Sequence, residues 1–455
     1  MKPSAGKDTP RKTAARILDR LDTGDLVLDV LMDRALEEDL GLTRKDRALV
    51  MALVFGVTRN RGRIDWIIGN FSKTKLNKIQ PGVLNILRMG VFQLLFLDRV
   101  PPALAVDSSV EMAKKTAPAY VVKFVNGLLR NVERNGRELV LPDFAKDPVK
   151  AICVGESYPE WLVRRWVKRF GPEQALELCR AGNRIAPITI RVNPLAATRD
   201  QVLEEILDLV QEPENHPWLP DAVSFSAPNV PVFELPGFRE GRFSVQDAAS
   251  QLVALCLSPQ PGDKVLDACA GLGSKTAHLA QLMGNQGEIL ATDVEPSKIR
   301  HLSDEMKRLG IAIVRTEKQD FSRAVSLPGT LFDNVLVDAP CTGLGVIRRN
   351  PDSKWSKNMD SVRRHAGLQA GILANASALV KPGGLIVYSV CSMEPEETEN
   401  IVREFLKDHP DFAVEECPLP QSADKTMLDG LGCLRTFPHK HDMDGFFAAR
   451  MRRQS

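Results

Sequence analysis

The hydrophobic pattern changes character twice along the chain. From Thr13 to Arg137, apolar residues recur at spacings of three and four, in ARILDRLDTGDLVLDVLMDRAL and again in RALVMALVFGVTRNRGRIDWIIGNF. That is the period of amphipathic helices. Pro101-Pro102 breaks one helix, and Asp107 with the serines after it can start another. No strand alternation intervenes, so residues 1–142 are predicted to form an all-α domain. GRELVLPDFAKDP reads as a linker. Residues 143–240 are mixed: YPEWLVRRWVKRFGPEQALELCRAGN predicts two helices, with Trp161 and Trp166 as core residues, and APITIRVNPL predicts a strand. RFSVQDAASQLVALCL then opens a helix with Gln246-Asp247 at its entrance.

Beyond Gly262 the texture becomes strand, turn, helix. Val265-Leu266 ends in Asp267, and Glu288 to Thr292 ends in Asp293. IAIVRTEKQD, FDNVLVDAP and GLIVYSVCS are further apolar runs that close on polar residues. Strands alternating with helices imply a mostly parallel sheet covered on both faces. Ligands of such sheets bind outside the carboxyl ends of the strands, where every polar residue just named falls. Residues 241–455 are therefore expected to be a Rossmann-like α/β catalytic domain.

Composition narrows the class. With 455 residues, 44% hydrophobic and 26% charged, the chain is expected to be a multidomain soluble protein. The apolar run Val91 to Leu97 is far shorter than the roughly 20 residues of a membrane span, and the N-terminal residues contain no apolar segment of a secretory signal. Eight cysteines with no CxxC pair point to a reduced, cytoplasmic protein without a disulfide framework or a metal site. Residues 1–140 hold 24 Lys/Arg against 16 Asp/Glu, a net of +8, which leaves −6 for the rest. A basic N-terminal third fits a polyanionic partner such as nucleic acid. Within it, TRNRGRIDWII and FVNGLLRNVER interleave arginine with asparagine in a way that suits phosphate contacts.

VLDACAGLGSKT follows a strand and opens a helix, as a nucleotide-binding turn must. Gly271 and Gly273 allow close backbone approach, and free N–H groups at the helix start can face a ligand. Asp293 stands twenty residues after Gly273, the spacing at which an acid meets ribose hydroxyls. Thr276 takes the place of the third glycine of a dinucleotide motif, which favours the S-adenosylmethionine version of the fold.

Cys341 in VDAPCTGLG and Cys391 in YSVCSMEPEE lie at two neighbouring strand ends facing that site. C5 of a pyrimidine attacks a sulfonium only after a thiolate has added at C6, which requires an activated cysteine. Asp338 beside the base would hold N3 protonated and favour addition. An N-methylating enzyme would carry an aromatic clamp where Asp-Ala-Pro-Cys stands. The target base must also leave its stack.

The chain resembles the Sun/RsmB type of 16S ribosomal RNA cytosine-C5 methyltransferases, within the Nop2/Sun group. LDRVPPALAVDSSVEMAKK and KFVNGLLRN are similar to its NusB-like helical domain. FSVQDAASQL, VLVDAPCTGLGVIRRNPDSKW, GGLIVYSVCSMEPEETENIV and the ending DGFFAARMRR are similar to its catalytic half. The resemblance implies that the turn Cys269, Ala270, Gly271, Leu272, Gly273, Ser274 and Lys275 binds S-adenosylmethionine. It places Asp293 on the ribose, Asp320 near the adenine and Asp338 near the reaction centre. It makes Cys391 the nucleophile and Cys341 the residue that assists product release, with Lys275 as electrostatic support. The expected substrate is 16S rRNA, free or in an early assembly intermediate, and the default is a monomer. The same chemistry on tRNA or another rRNA site is the alternative, and a non-catalytic assembly factor the alternative from another class. The family turn reads Ala-Pro-Gly-Gly-Lys where this chain has Gly-Leu-Gly-Ser-Lys. The serine fits that turn if its φ is negative.

Overall fold

The computed structural model describes residues 9–24, 27–38, 41–323 and 329–454. Two compact units divide them: residues up to Arg184 together with Arg349–Asn358, and Ile185–Arg348 together with Met359 onward.

The first unit is helical. Its main helices are Pro10–Thr23, Leu28–Glu38, Arg44–Phe71, Pro81–Phe96, Pro102–Thr116 and Ala119–Asn135, followed by Pro148–Gly155, Glu160–Phe170 and Pro172–Asn183. Local chemistry sets the starts. Proline opens several of them, where its missing N–H costs nothing. Thr43 and Asp46 form a reciprocal capping box before the longest helix. Val54, Val57, Ile64, Leu87 and Leu129 are buried in one core. Gly56 lets two helices cross closely, because a Cβ there would lie 1.9 Å from the Phe92 ring. Trp166 is in the core as expected, and Trp161 is half-buried.

Two of the arginines read as phosphate contacts already have carboxylate partners. Arg61 pairs with Asp22 at 2.9 Å, and Arg130 pairs with Asp107 and Glu133. Arg88, 4% exposed, binds Asp65 through two nitrogens at 2.7 and 2.8 Å. These pairs hold helices together, and the motif spacing alone did not reveal them.

The excursion Arg349–Asn358 belongs to this helical unit. Lys354 is 0% exposed, and its Nζ donates to the Arg59 carbonyl at 2.8 Å and to Asn183 Oδ1 at 3.1 Å. The Tyr158 ring centroid is 4.1 Å from Nζ. Burial pushes the lysine well below its ordinary value. Trp355 donates its indole N–H to the Thr58 carbonyl at 2.7 Å.

The second unit holds two sheets. The smaller is antiparallel, from β1 (Ile188–Val192), β2 (Gln211–Asn215), β3 (Ala222–Ser226) and β4 (Phe243–Val245), in the order β2-β3-β1-β4. Its polar side chains tie it to the larger sheet's helices. Arg191 donates to Gln281 Oε1, to Gln246 Oε1 and to the Ser274 carbonyl, and Asn193 donates to the carbonyls of Gly241 and Leu309.

The larger sheet contains β5 (Lys264–Asp267), β6 (Glu288–Asp293), β7 (Val314–Lys318), β8 (Phe332–Asp338), β9 (Val380–Val390), β10 (Phe412–Glu415), β11 (Leu434–Arg435) and β12 (Phe447–Arg453). The order is β10-β12-β9-β8-β5-β6-β7, with β11 on β12. Strands β5 to β9 pair in parallel and β12 runs antiparallel to both neighbours. Val335, Leu336 and Val337 are fully buried, as a central strand covered on both faces requires. The chain builds outward from β5 through β6 to β7, then returns to place β8 on the other side. The switch point therefore lies between β5 and β8, where ligands of open α/β sheets bind.

Candidate active site

At the carboxyl end of β5, the turn from Cys269 leads into the helix Ser274–Leu282. Gly271 has φ +58° and Gly273 φ +89°. At Gly273 glycine is required twice over, since a Cβ would also sit 2.7 Å from Leu302 Cγ. Three N–H groups of the turn ahead of the helix already have partners. Ala270 donates to the Thr292 carbonyl, Gly271 to Asp293 Oδ2 and Gly273 to the Ala270 carbonyl. Both departures from the family turn are accommodated. Leu272 points to solvent at 60% exposure, and Ser274 is the first helical residue, outside the positive-φ set.

A cleft of 490 Å³ opens beside the turn. Cys269, Gly271, Asp293, Asp320 and Asp338 line it, whereas Ala270, Leu272, Gly273, Ser274 and Lys275 shape the turn behind it. Asp293 accepts from the Gly271 and Glu295 N–H groups. Asp320 accepts from the Ser322 hydroxyl and N–H, which hold its carboxyl below the ordinary value. Burial pushes the Cys269 thiol up. Val294, Phe321, Leu368 and Ile372 supply an apolar wall. Sequence reasoning missed them, although Val294 and Phe321 each directly follow a strand-end or loop aspartate.

These residues fit S-adenosylmethionine better than a dinucleotide. The acids Asp293, Glu295, Asp320 and Asp338 face the cleft against one lysine, Lys298, and the Gly271 N–H is already engaged. A pyrophosphate would meet carboxylates there rather than donors. A sulfonium meets opposite charge, a ribose finds acceptors and an adenine finds the apolar wall.

Behind the cleft, Lys275 Nζ lies 2.6 Å from Asp338 Oδ2, and Ser389 donates to Asp338 Oδ1 at 2.7 Å. Both oxygens are thereby fixed, and Lys275 also stands 5.1 Å from the Phe446 ring centroid. The sulfurs of Cys341 and Cys391 are 3.1 Å apart and both are free thiols. A hydrogen bond shared with Cys391, then burial, then the charges of Cys391 and Glu397, hold Cys341 well above the ordinary thiol value. Glu397 joins the two cysteine loops. It accepts from the Thr342 N–H and hydroxyl and from the Ser392 hydroxyl. No local signal marks it, because its partners lie far away in sequence.

The fold and this cleft define a class I methyltransferase. Residues 254–452 match the 16S rRNA methyltransferase RsmB/F family, residues 8–134 the NusB family, and residues 158–232 the ferredoxin-like domain of RsmF/B-like methyltransferases. Probable ribosomal RNA small subunit methyltransferase B of Bacillus subtilis is 34% identical over 454 residues, covering 98% of this chain and 99% of that one. Ribosomal RNA small subunit methyltransferase B of Salmonella paratyphi A is 36% identical over 409 residues, 90% of each. The crystal structure of PH0851 superposes with a TM-score of 0.80 at 29% identity, over 98% of this chain and 99% of that one. NSun6 from Pyrococcus horikoshii, solved with SFG, shares the fold with a TM-score of 0.59 at 24% identity, over 66% of this chain and 99% of its own. The chain belongs to the RsmB/F family of 16S rRNA methyltransferases. It is an RNA methyltransferase that uses S-adenosylmethionine.

Two outcomes follow from this geometry. Asp293→Ala should raise the S-adenosylmethionine Kd about tenfold or more, measured by calorimetry, because the cleft loses a carboxylate able to accept from ligand hydroxyls and the Gly271 anchor with it. Asp267, at the end of β5, is pushed up to about 7 by burial, opposed by the Thr276 hydroxyl bond. A raised folded-state value gives stability that is complete below the ordinary value of about 3.9 and is lost as pH rises through about 7. Asp267→Asn should therefore flatten the decline of Tm between roughly pH 4 and pH 7. Parallel wild-type and variant curves would contradict it.

Proposed function

We propose that this protein methylates C5 of a specific cytosine in 16S ribosomal RNA through a covalent adduct between Cys391 and C6 of the base. The observation that carries this reading is the pair of free thiols 3.1 Å apart on the loops that follow Asp338 and Ser389, with Asp338 and Pro340 lining the acidic cleft. The relatives' names, which specify the small subunit of the ribosome, support the substrate class.

S-adenosylmethionine, when bound, supplies an electrophilic methyl group. The chain's residues do the rest. Cys391 Sγ adds to C6, which makes C5 nucleophilic. Asp338, fixed by Lys275 and Ser389, accepts a hydrogen bond from the protonated N3 and stabilises the addition. Cys341 is the sulfur held as a thiol during attack. Once Cys391 has become a thioether, its charge no longer holds that proton on Cys341. Cys341 then gives its own proton to solvent and, as a thiolate, takes the C5 proton as the Cys391–C6 bond breaks and aromaticity returns.

The division of labour follows the charge. Residues 1–142, with their basic excess, bind RNA; residues 143–240 form a smaller segment that helps to present it; residues 241–455 carry the chemistry. The protein is proposed to act in the cytoplasm as a monomer. Among the described residues, no helix is long and apolar enough to cross a membrane.

Cys391→Ala should abolish methyl transfer, by about 10³-fold or more, and leave no covalent RNA complex. Cys341→Ala should instead accumulate a protein–RNA complex that survives denaturing electrophoresis. The reverse pattern would exchange the two roles.

A further inference from the structure

Glu397 is the least expected acid in the molecule. Its side chain is 0% exposed, and no lysine, arginine or histidine among the described residues pairs with it. Its satisfaction comes from neutral donors on three elements. Thr342 supplies an N–H at 2.8 Å and a hydroxyl from the Cys341 loop. Ser392 supplies a hydroxyl from the Cys391 loop. Gln369 supplies an amide N–H at 3.1 Å, and the same amide also donates to the Pro340 carbonyl at 3.0 Å. The Tyr388 hydroxyl donates to the Glu397 main-chain carbonyl at 2.6 Å, so the backbone of the acid is fixed as well.

A carboxylate without a counter-ion is expensive to bury, and a fold that needed only a cross-link could use a neutral amide. The charge is retained in one specific place. Thr342 directly follows Cys341, and Ser392 directly follows Cys391. One anion therefore holds both reacting loops from behind, through the residue that follows each cysteine. The titratable groups around Cys341 are Cys391, Glu397 and Tyr388, with the Lys275–Asp338 pair beyond Ser389. Of these, Glu397 is the group bonded to both cysteine loops.

We infer that Glu397 is the positioning residue of the two-thiol site: it locks the Cys341 and Cys391 loops together and places a buried negative charge behind the Cys341 loop, so that Cys391 is the sulfur that attacks. This rests on the division of roles proposed above. Glu397 acts through Thr342, Ser392 and the cysteines, and is not itself a catalytic residue.

The test uses the full-length protein without RNA. Each cysteine's rate of alkylation by iodoacetamide is followed by mass spectrometry between pH 6 and pH 10. In the wild type Cys391 should react ahead of Cys341. Glu397→Gln should move the Cys341 profile to lower pH and speed its alkylation at pH 8 by about threefold or more. Glu397→Asp, which keeps the charge, should leave that profile near the wild type. A purely structural tie would leave the Cys341 profile of Glu397→Gln unchanged, and that result overturns the inference. In parallel, methyl transfer to a 16S transcript should show a lower kcat for Glu397→Gln with an unchanged cofactor Kd. If Glu397→Gln does not fold, the double variant Thr342→Val, Ser392→Ala replaces it. Slower transfer with unchanged cofactor Kd then supports the inference, and unchanged transfer overturns it. The alkylation contrast needs no RNA chemistry, so it decides the role of Glu397 even if the wild-type product proves not to be 5-methylcytosine.

Discussion

The site depends on one register. Strands β8 and β9 pair in parallel with Asp338 opposite Ser389. That pairing brings Ser389 to the Asp338 carboxylate. It also sets the chain three residues after Asp338 beside the chain two residues after Ser389, where the two sulfurs meet. A slip of two residues would displace one loop by about 7 Å and part the thiols. A slip of one would turn Val335 and Val337 onto the wrong face of a sheet whose faces are both buried. The core therefore guards the chemistry.

Backbone contacts tighten the same corner. Gly345 donates to the Cys391 carbonyl at 3.0 Å and accepts from the Gly445 N–H at 2.8 Å. A Cβ on Gly345 would lie 1.8 Å from the Gly445 carbonyl oxygen. This explains the second glycine of TGLG: main chain meets main chain there, with no room between. Arg348, a few residues on, is buried against Asp444 at 2.6 Å and Asp247 at 3.4 Å. Asp247 also caps the helix that follows it. Segments remote in sequence are thus fastened around the Cys341 loop by charge and by glycine, while the cleft itself stays open to ligands.

The fold was legible where burial leaves a period. Helices of the first unit show three-and-four spacing, and the parallel strands are apolar runs closing on polar ends. The strand-end acids could be located because sheet topology, rather than sequence proximity, decides what faces the cleft. Partnerships across long separations were not legible. The Asp22 partner of Arg61 and the complete burial of Lys354 have no mark in the neighbouring sequence. Within the turn, the bonds from Gly271 to Asp293 and from Ala270 to Thr292 have no mark in the local sequence. Glu397 sits in an acidic run, EPEETEN, whose composition suggests a solvated surface. Only the approach of the two cysteine loops turns it inward. In each case the missing information was a contact, not a residue type.

The assignment of attack to Cys391 is tested most directly with a substrate whose adduct cannot release. A 16S transcript carrying 5-fluorocytidine, incubated with the wild-type protein and S-adenosylmethionine, loses no proton from C5, so the nucleophile stays bonded to C6. Nuclease digestion and peptide mass spectrometry then locate the attached nucleotide. The account predicts it on the peptide containing Cys391, with Cys341 unmodified. Attachment to Cys341, or a transcript methylated without any covalent complex, would contradict it.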